Sequence, residues 1–181
     1  MKITQEIFNQ IYKDNSLLVY NLALHYVQNI EDAEEITQDV FVKIHQSWSG
    51  FKNDSTIRTW IYRITINKCL DFIKHKNSKK RFFIFGKKSQ NEQEYSNIST
   101  FEHPGILLEN KENATLLFGV INTLTHNQKT AFLLSKLDGL SNAEIATIME
   151  VSISSVESLV FRAKTALKDK LSKKMDVYRK K

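Results

Sequence analysis

The chain has 181 residues, a formal net charge of +6 and 41% apolar residues, with only five Gly, one Pro and one Cys. That length holds two small domains or one of medium size, and the scarcity of Gly and Pro favours helices over a many-turned β fold. A single cysteine, Cys69, excludes an internal disulfide and a thiolate zinc cluster. The positive balance points to a polyanion, nucleic acid first, or to an acidic surface. The N-terminal MKITQEIF has no apolar h-region and no apolar run approaches a membrane span, so the cytoplasm is the expected compartment.

Residues 5–28 read as two short helices. Ile7, Phe8, Ile11 and Tyr12 form an apolar face of the first, Asp14-Asn15-Ser16 breaks the pair, and Leu17, Leu18, Tyr20, Leu22, Ala23, Leu24, Tyr26 and Val27 supply more than one face of the second. Asn29 is placed to cap a third helix that runs to about Trp48, with Glu31 and Asp32 in its first turn. Ala33, Ile36, Val40, Phe41, Ile44 and Trp48 fall on its core side. Glu34, Glu35, Gln38, Asp39, Val42 and His45 fall on the other. An acidic face on a basic protein repels phosphate. It suits either solvent, as on most amphipathic helices, or a basic protein partner that also meets the apolar Val42.

Ser49–Ser55 is a turn-rich loop whose one apolar residue is Phe51. It leads into the stretch that organises the chain, STIRTWIYRITINKCLDFIKHK (55–76). This has no Gly or Pro, Asp54 and Ser55 offer cap oxygens, and the spacing predicts one long helix. At 100° per residue Ile57, Trp60, Ile61, Ile64 and Phe72 share one apolar face, and Tyr62, Ile66 and Ile73 a second. Thr59, Arg63, Asn67 and Lys74 line a narrow polar stripe between them. Such a stripe suits nucleic acid, since phosphates want Arg, base edges want Asn and Thr, and unstacked bases want aromatic rings. Spacing alone leans slightly to the alternative, a buried helix with one solvated edge. Cys69 reads as a small buried apolar group.

Lys74 to Lys88 is basic and free of acid, interrupted by FFIF at 82–85, and 86–103 is polar and aperiodic. A linker is expected there. Beyond Pro104, Leu107, Leu108, Leu116, Leu117, Val120, Ile121 and Leu124 recur at helical spacing. Thr125 caps a helix from His126 to Leu137 with Ala131, Phe132, Leu133 and Leu137 inside, and Asp138-Gly139 ends it. Ser141 caps a short helix over 142–150, with Glu144 completing a capping box. After the Val151-Ser152 turn, Ser154 starts a helix through about Leu171. Val156, Leu159, Val160, Ala163 and Leu167 point inward. Ser155, Glu157, Ser158, Phe161, Arg162 and Thr165 point outward. A short capped helix, a tight turn and a second helix led by small polar residues follow helix-turn-helix logic. Helical hairpins are common enough that the pattern alone does not decide.

Three stretches carry a resemblance that does: EDAEEITQDVFVKIHQSW, FKNDSTIRTWIYRITINKCLDFIK and LDGLSNAEIATIMEVSISSVESLVFRAKTALKDKL. In this order and spacing the chain resembles a bacterial RNA polymerase sigma factor of the small, extracytoplasmic-function (ECF) type. The resemblance implies an all-α fold of two small helical domains joined by a flexible linker, the second with a helix-turn-helix. Region-2-like residues 1–80 would bind core polymerase and read and melt the minus-ten element. Residues 81–103 would be the linker, 104–175 a region-4-like reader of the minus-thirty-five element, and 176–181 a basic tail.

By position in the family, Glu35, Gln38, Asp39 and Val42 would meet the coiled coil of the largest polymerase subunit. Phe51, Lys52, Asn53, Asp54, Ser55, Thr59, Tyr62, Arg63 and Asn67 would hold the melted non-template strand with a flipped base. Ser154, Ser155, Glu157, Ser158, Phe161 and Arg162 would face upstream duplex. Relatives often carry Arg or Lys where this chain has Glu157 and Leu159. That lowers phosphate attraction here, and a glutamate accepts from the amino group of cytosine. The resemblance further implies a monomer when free, held by a membrane-spanning anti-sigma factor.

No metal-ligand spacing, Gly-rich phosphate loop or nucleophile–base pair occurs, and the five histidines are scattered. No enzyme activity, metal or cofactor is therefore expected. The alternative is a helix-turn-helix regulator that binds duplex without polymerase. An RNA-binding factor using the basic run 74–88, and a nucleic-acid enzyme, are further possibilities; the first lacks an RNA-module motif and the second a carboxylate cluster suited to two metals.

Overall fold

The structure is a computed structural model that describes residues 3–51, 54–86 and 111–179, the side chains of 79–86, 111–112 and 174–179 excepted. Every regular element among the described residues is helical. The chain divides into two compact units, Met1–His103 and Pro104–Lys181.

The first unit holds α1 (Gln5–Val27), α2 (Ile30–Ser47), a short 3-10 turn at Trp48–Gly50 and α3 (Ile57–Gly86). Helix α1 is one helix, where the sequence predicted a break at Asp14-Asn15-Ser16. Asn15 turns its side chain inward and donates to the Ile11 carbonyl at 2.9 Å, while Gln10 reaches the Asp14 carboxylate at 2.8 Å. The two groups that read as breakers bond along the helix instead. The helix ends at Gln28, which adopts the left-handed conformation (φ 56°) and donates its N–H to the Leu24 carbonyl. Asn29 caps α2 as expected, accepting from the Asp32 N–H at 2.8 Å.

Val19, Leu22, Ala23, Leu24 and Tyr26 of α1 meet Ala33, Ile36, Val40, Phe41 and Ile44 of α2 and Ile61, Tyr62, Ile66 and Cys69 of α3 in one buried core. Burying side chains of this size contributes roughly 1.5–3 kcal/mol each, and that burial is what holds three amphipathic helices together. Thr65 is buried with them, its hydroxyl returned to the Ile61 carbonyl at 2.8 Å.

Helix α3 differs from its expected bounds at both ends. Its cap is Thr56, whose hydroxyl oxygen accepts from the Thr59 N–H at 3.2 Å, rather than Asp54 or Ser55. It continues to Gly86, ten residues past Lys76, because nothing in the basic stretch stops a helix. The side chains of FFIF, the linker residues 87–103, Pro104, Leu107 and Leu108 lie outside what is described.

The second unit holds α4 (Lys111–Ile121), α5 (His126–Lys136), α6 (Asn142–Met149) and α7 (Ile153–Arg179). Thr125 and Gln128 form a capping box on α5, and Ser141 and Glu144 form one on α6. Gly139 takes the left-handed turn after α5 (φ 68°), where a Cβ would be strained. Ala114, Phe118, Val120, Ile121, Ala131, Leu133, Leu134, Ile145, Ile148, Val156, Val160, Ala163 and Leu167 make the core. Leu137, expected inside, is exposed, because α5 stops at Lys136 and Leu137 begins the turn. Helix α7 is capped by Ser152, which accepts from the Ser155 N–H at 3.2 Å, and so starts at Ile153 rather than Ser154.

Candidate nucleic-acid and polymerase interface

On α2, Glu35, Gln38, Asp39 and Val42 are all exposed, as their spacing requires. The acidic face is not left bare. Lys68 of α3 reaches Asp39 at 3.0 Å, and Lys76 of α3 pairs with Asp32. These two cross-helix pairs were not legible from the spacing of either helix alone. Beside the same face, Tyr12, Ser16, Leu17 and Tyr20 of α1 with Glu34, Thr37 and Gln38 of α2 line an open groove of about 340 Å³. Leu17 is 69% exposed on its rim. The sequence carried a sign of this, since the second half of α1 has more apolar residues than one core face can take.

The loop before α3 is anchored by aromatic rings. Phe51 lies 4.9 Å from Trp60 and 5.8 Å from Trp48, and the two tryptophans stand 6.2 Å apart. All three rings are half-buried. Asp54 is exposed and Ser55 half-buried; Lys52 and Asn53 lie outside the described residues. Thr59 shares a 3.0 Å hydroxyl contact with the capping Thr56, so its side chain is engaged in starting the helix. Arg63 is half-buried and Asn67 exposed one turn on, which brings these two stripe residues to a common surface.

Tyr62 does not join them. It is 3% exposed, its ring closed in the core with the Arg58 guanidinium 6.0 Å from its centroid. Its position on the second apolar face placed it there, and a ring so buried offers no surface for a base to stack on.

In the second unit α6, the turn at Glu150–Ser152 and α7 form the helix-turn-helix. Glu150 turns the chain in the left-handed conformation (φ 57°), and the Val151 N–H donates to the Ala146 carbonyl at 3.1 Å. Ala146 is buried and small, so the two helices meet closely. Ser154 and Ser155 are exposed, and their hydroxyls contact that of the capping Ser152 at 3.0 and 2.8 Å. Glu157, Phe161 and Arg162 are exposed and Ser158 is half-buried on the outer side of α7, with Phe161 70% exposed. A ring so open on a folded domain is ready to meet another surface. Leu159 is half-buried and turns from that side.

Among the described residues no group of three or more His, Cys, Asp or Glu is arranged to hold a metal ion. No described helix is long and apolar enough to cross a membrane.

Among the described residues, three helices with a polar stripe followed by four with a helix-turn-helix follow the two-region plan of a transcription initiation factor. Family models agree: Sigma-70 region 2 matches residues 11–79 and Sigma-70 region 4 matches residues 116–167. The ECF RNA polymerase sigma-E factor of Escherichia coli (strain K12) is 27% identical over 168 residues, 92% of this chain and 87% of that protein. The sigma-E factor of Haemophilus influenzae is 26% identical over 92% of this chain and 88% of its own. The fold matches CnrH, solved with the cytosolic domain of CnrY, at a TM-score of 0.65 and 19% identity, covering 93% of this chain and 90% of that one. It also matches the sigma factor RpoE of Bartonella quintana, solved with the anti-sigma factor NepR, at 0.63 and 19%, covering 91% and 96%.

The chain therefore belongs to the sigma-70 family, as an ECF sigma factor that gives RNA polymerase its promoter specificity. Both regions being present in order disfavours a regulator that works without polymerase.

Proposed function

We propose that the first unit seats on core RNA polymerase through Glu35, Gln38, Asp39 and Val42 and holds the opened minus-ten strand with Arg63, Asn67 and the loop of Phe51, Lys52, Asn53, Asp54 and Ser55. The observation that carries this reading is the pair of ion pairs joining α2 to α3, Lys68 to Asp39 and Lys76 to Asp32. They tie the polymerase-facing helix to the strand-facing one, so that docking the first orients the second. Thr59 starts the helix that presents the stripe, and Tyr62 supports it from the core.

The second unit reads the minus-thirty-five element through Ser154, Ser155, Glu157, Ser158, Phe161 and Arg162, with the N-terminal turns of α7 in the major groove. The proposed division is residues 1–80 and 104–175 for these tasks, with a linker at 81–103 and a basic tail at 176–181. Two modest contacts borne by one chain on one enzyme reach selectivity through effective concentration. Strand opening exchanges a few kcal/mol of stacking per extruded base for contacts on the single strand. No bond is made or broken by the chain itself, and it acts in the cytoplasm, as a monomer when free. The solved relatives with CnrY and NepR support an anti-sigma partner that occupies one or both units.

Run-off transcription with core polymerase tests the whole reading. Transcripts that start only when this chain is added support it; core polymerase that ignores the chain, or starts equally well without it, overturns it.

A further inference from the structure

Granted that the second unit reads the upstream element, one side chain bears on its base choice at a single position. We propose that Glu157 is a specificity-determining residue that selects cytosine at one position of that element. Glu157 is exposed in the second turn of α7, where a groove helix meets base edges. Among the described residues its carboxylate has no hydrogen bond or ion pair. Phe161 and Thr165 stand one and two turns on, and the exposed Lys164 and Lys168 lie on the same side further along α7. The Phe161 ring has no donor or acceptor, and the Thr165 hydroxyl donates to the Phe161 carbonyl at 3.1 Å. Glu157 is the one carboxylate in the first three turns of α7.

A carboxylate carried into a wall of phosphates is repelled on every sequence. It is tolerated where a donor on the base edge meets it. The major groove offers two such donors, the amino groups of cytosine and of adenine. Adenine sets an N7 acceptor beside its amino group, a donor–acceptor pair that suits an amide and leaves the second oxygen of a carboxylate facing a lone pair. Cytosine presents its amino donor without a neighbouring acceptor on the same base, which is the edge an acceptor-only group prefers. Leu159 is half-buried on the other side of α7.

The test is selection of promoters from a pool randomised over the upstream element, using holoenzyme assembled from core polymerase and the full chain. The wild-type chain should enrich cytosine at one position. Glu157→Ala should flatten that position, with about five- to 150-fold lost discrimination for a base contact of this kind, and leave the other positions unchanged. Glu157→Gln should move the preference toward adenine, because an amide matches the adjacent N6 donor and N7 acceptor. Circular dichroism of both variants should overlay the wild type, Glu157 being exposed. An upstream element whose base frequencies are the same in all three proteins overturns the proposal while leaving the reading of the second unit intact. So does a uniform gain in affinity for every sequence with Glu157→Ala, which would make the carboxylate a phosphate repellent alone. Recovery of no upstream element by the wild type overturns both.

Discussion

Replacing Asp39 by Ala separates an interface role from a folding role, because the structure bounds the second. Asp39 pairs with Lys68 at 3.0 Å, but its side chain is 59% exposed and that of Lys68 is 33% exposed. Water screens such a pair, and exposed pairs of this kind contribute about 0–1 kcal/mol. Asp39→Ala should therefore change the folded-to-unfolded ratio no more than about fivefold. A carboxylate buried against a basic partner is another matter. Truncating one side of a desolvated, hydrogen-bonded charge pair costs about 2–5 kcal/mol, mostly in the off-rate.

The assay is a titration of labelled core polymerase, without DNA, against wild type, Asp39→Ala, Lys68→Met and the double variant. Asp39→Ala should weaken binding by more than tenfold through faster dissociation. Lys68→Met removes the same intramolecular pair yet should stay within about twofold of wild type. The double variant should resemble Asp39→Ala. Equal, small losses for the two single variants would mean that Asp39 acts only by pairing with Lys68, and the assignment of the α2 face to polymerase would fail.

Arg63→Ala and Asn67→Ala should leave binding to core polymerase unchanged and reduce permanganate reactivity of the opened strand; a bubble of normal intensity with both variants refutes the stripe. Arg162→Ala should lose about 1–3 kcal/mol at one or two upstream positions in a gel-shift scan of base substitutions, and a loss spread evenly over all positions would make it a phosphate contact instead. Ser141→Ala removes the hydroxyl that accepts from the Glu144 N–H at 3.3 Å and donates to the Glu144 carboxylate at 2.7 Å. It should destabilise the second unit by about 1 kcal/mol, lowering its calorimetric transition by about 4–8 °C while the transition of the first unit stays in place.

The two-domain helical plan and the caps at Asn29, Thr125 and Ser141 were legible because each depends on a few neighbouring residues. Misreadings came where a side chain chose between two local partners. Asn15 reads as a breaker from its type, yet a buried amide in a three-helix core bonds back along its own helix. Thr56, Ser55 and Asp54 all have cap oxygens, and it is the Thr56 hydroxyl that accepts from the Thr59 N–H. Tyr62 falls on an apolar face by spacing and among the strand-holding residues only by family resemblance, and its burial depends on α1 and α2 covering that side of α3. The ion pairs from Lys68 and Lys76 to α2 join residues 29 and 44 positions apart, a separation at which periodicity carries no information. On α7 the outer side was readable because helix period and small buried residues agree from Val156 to Leu167.

The chain has two tryptophans, and both, Trp48 and Trp60, flank Phe51 at the mouth of the loop before α3. Excitation near 295 nm therefore lights up that corner and nothing else in the polypeptide. A nucleotide arriving there should alter indole emission without any attached dye, whereas contact made by the helix-turn-helix half stays dark. One fluorimeter trace can thus time the capture of a melted strand separately from upstream engagement.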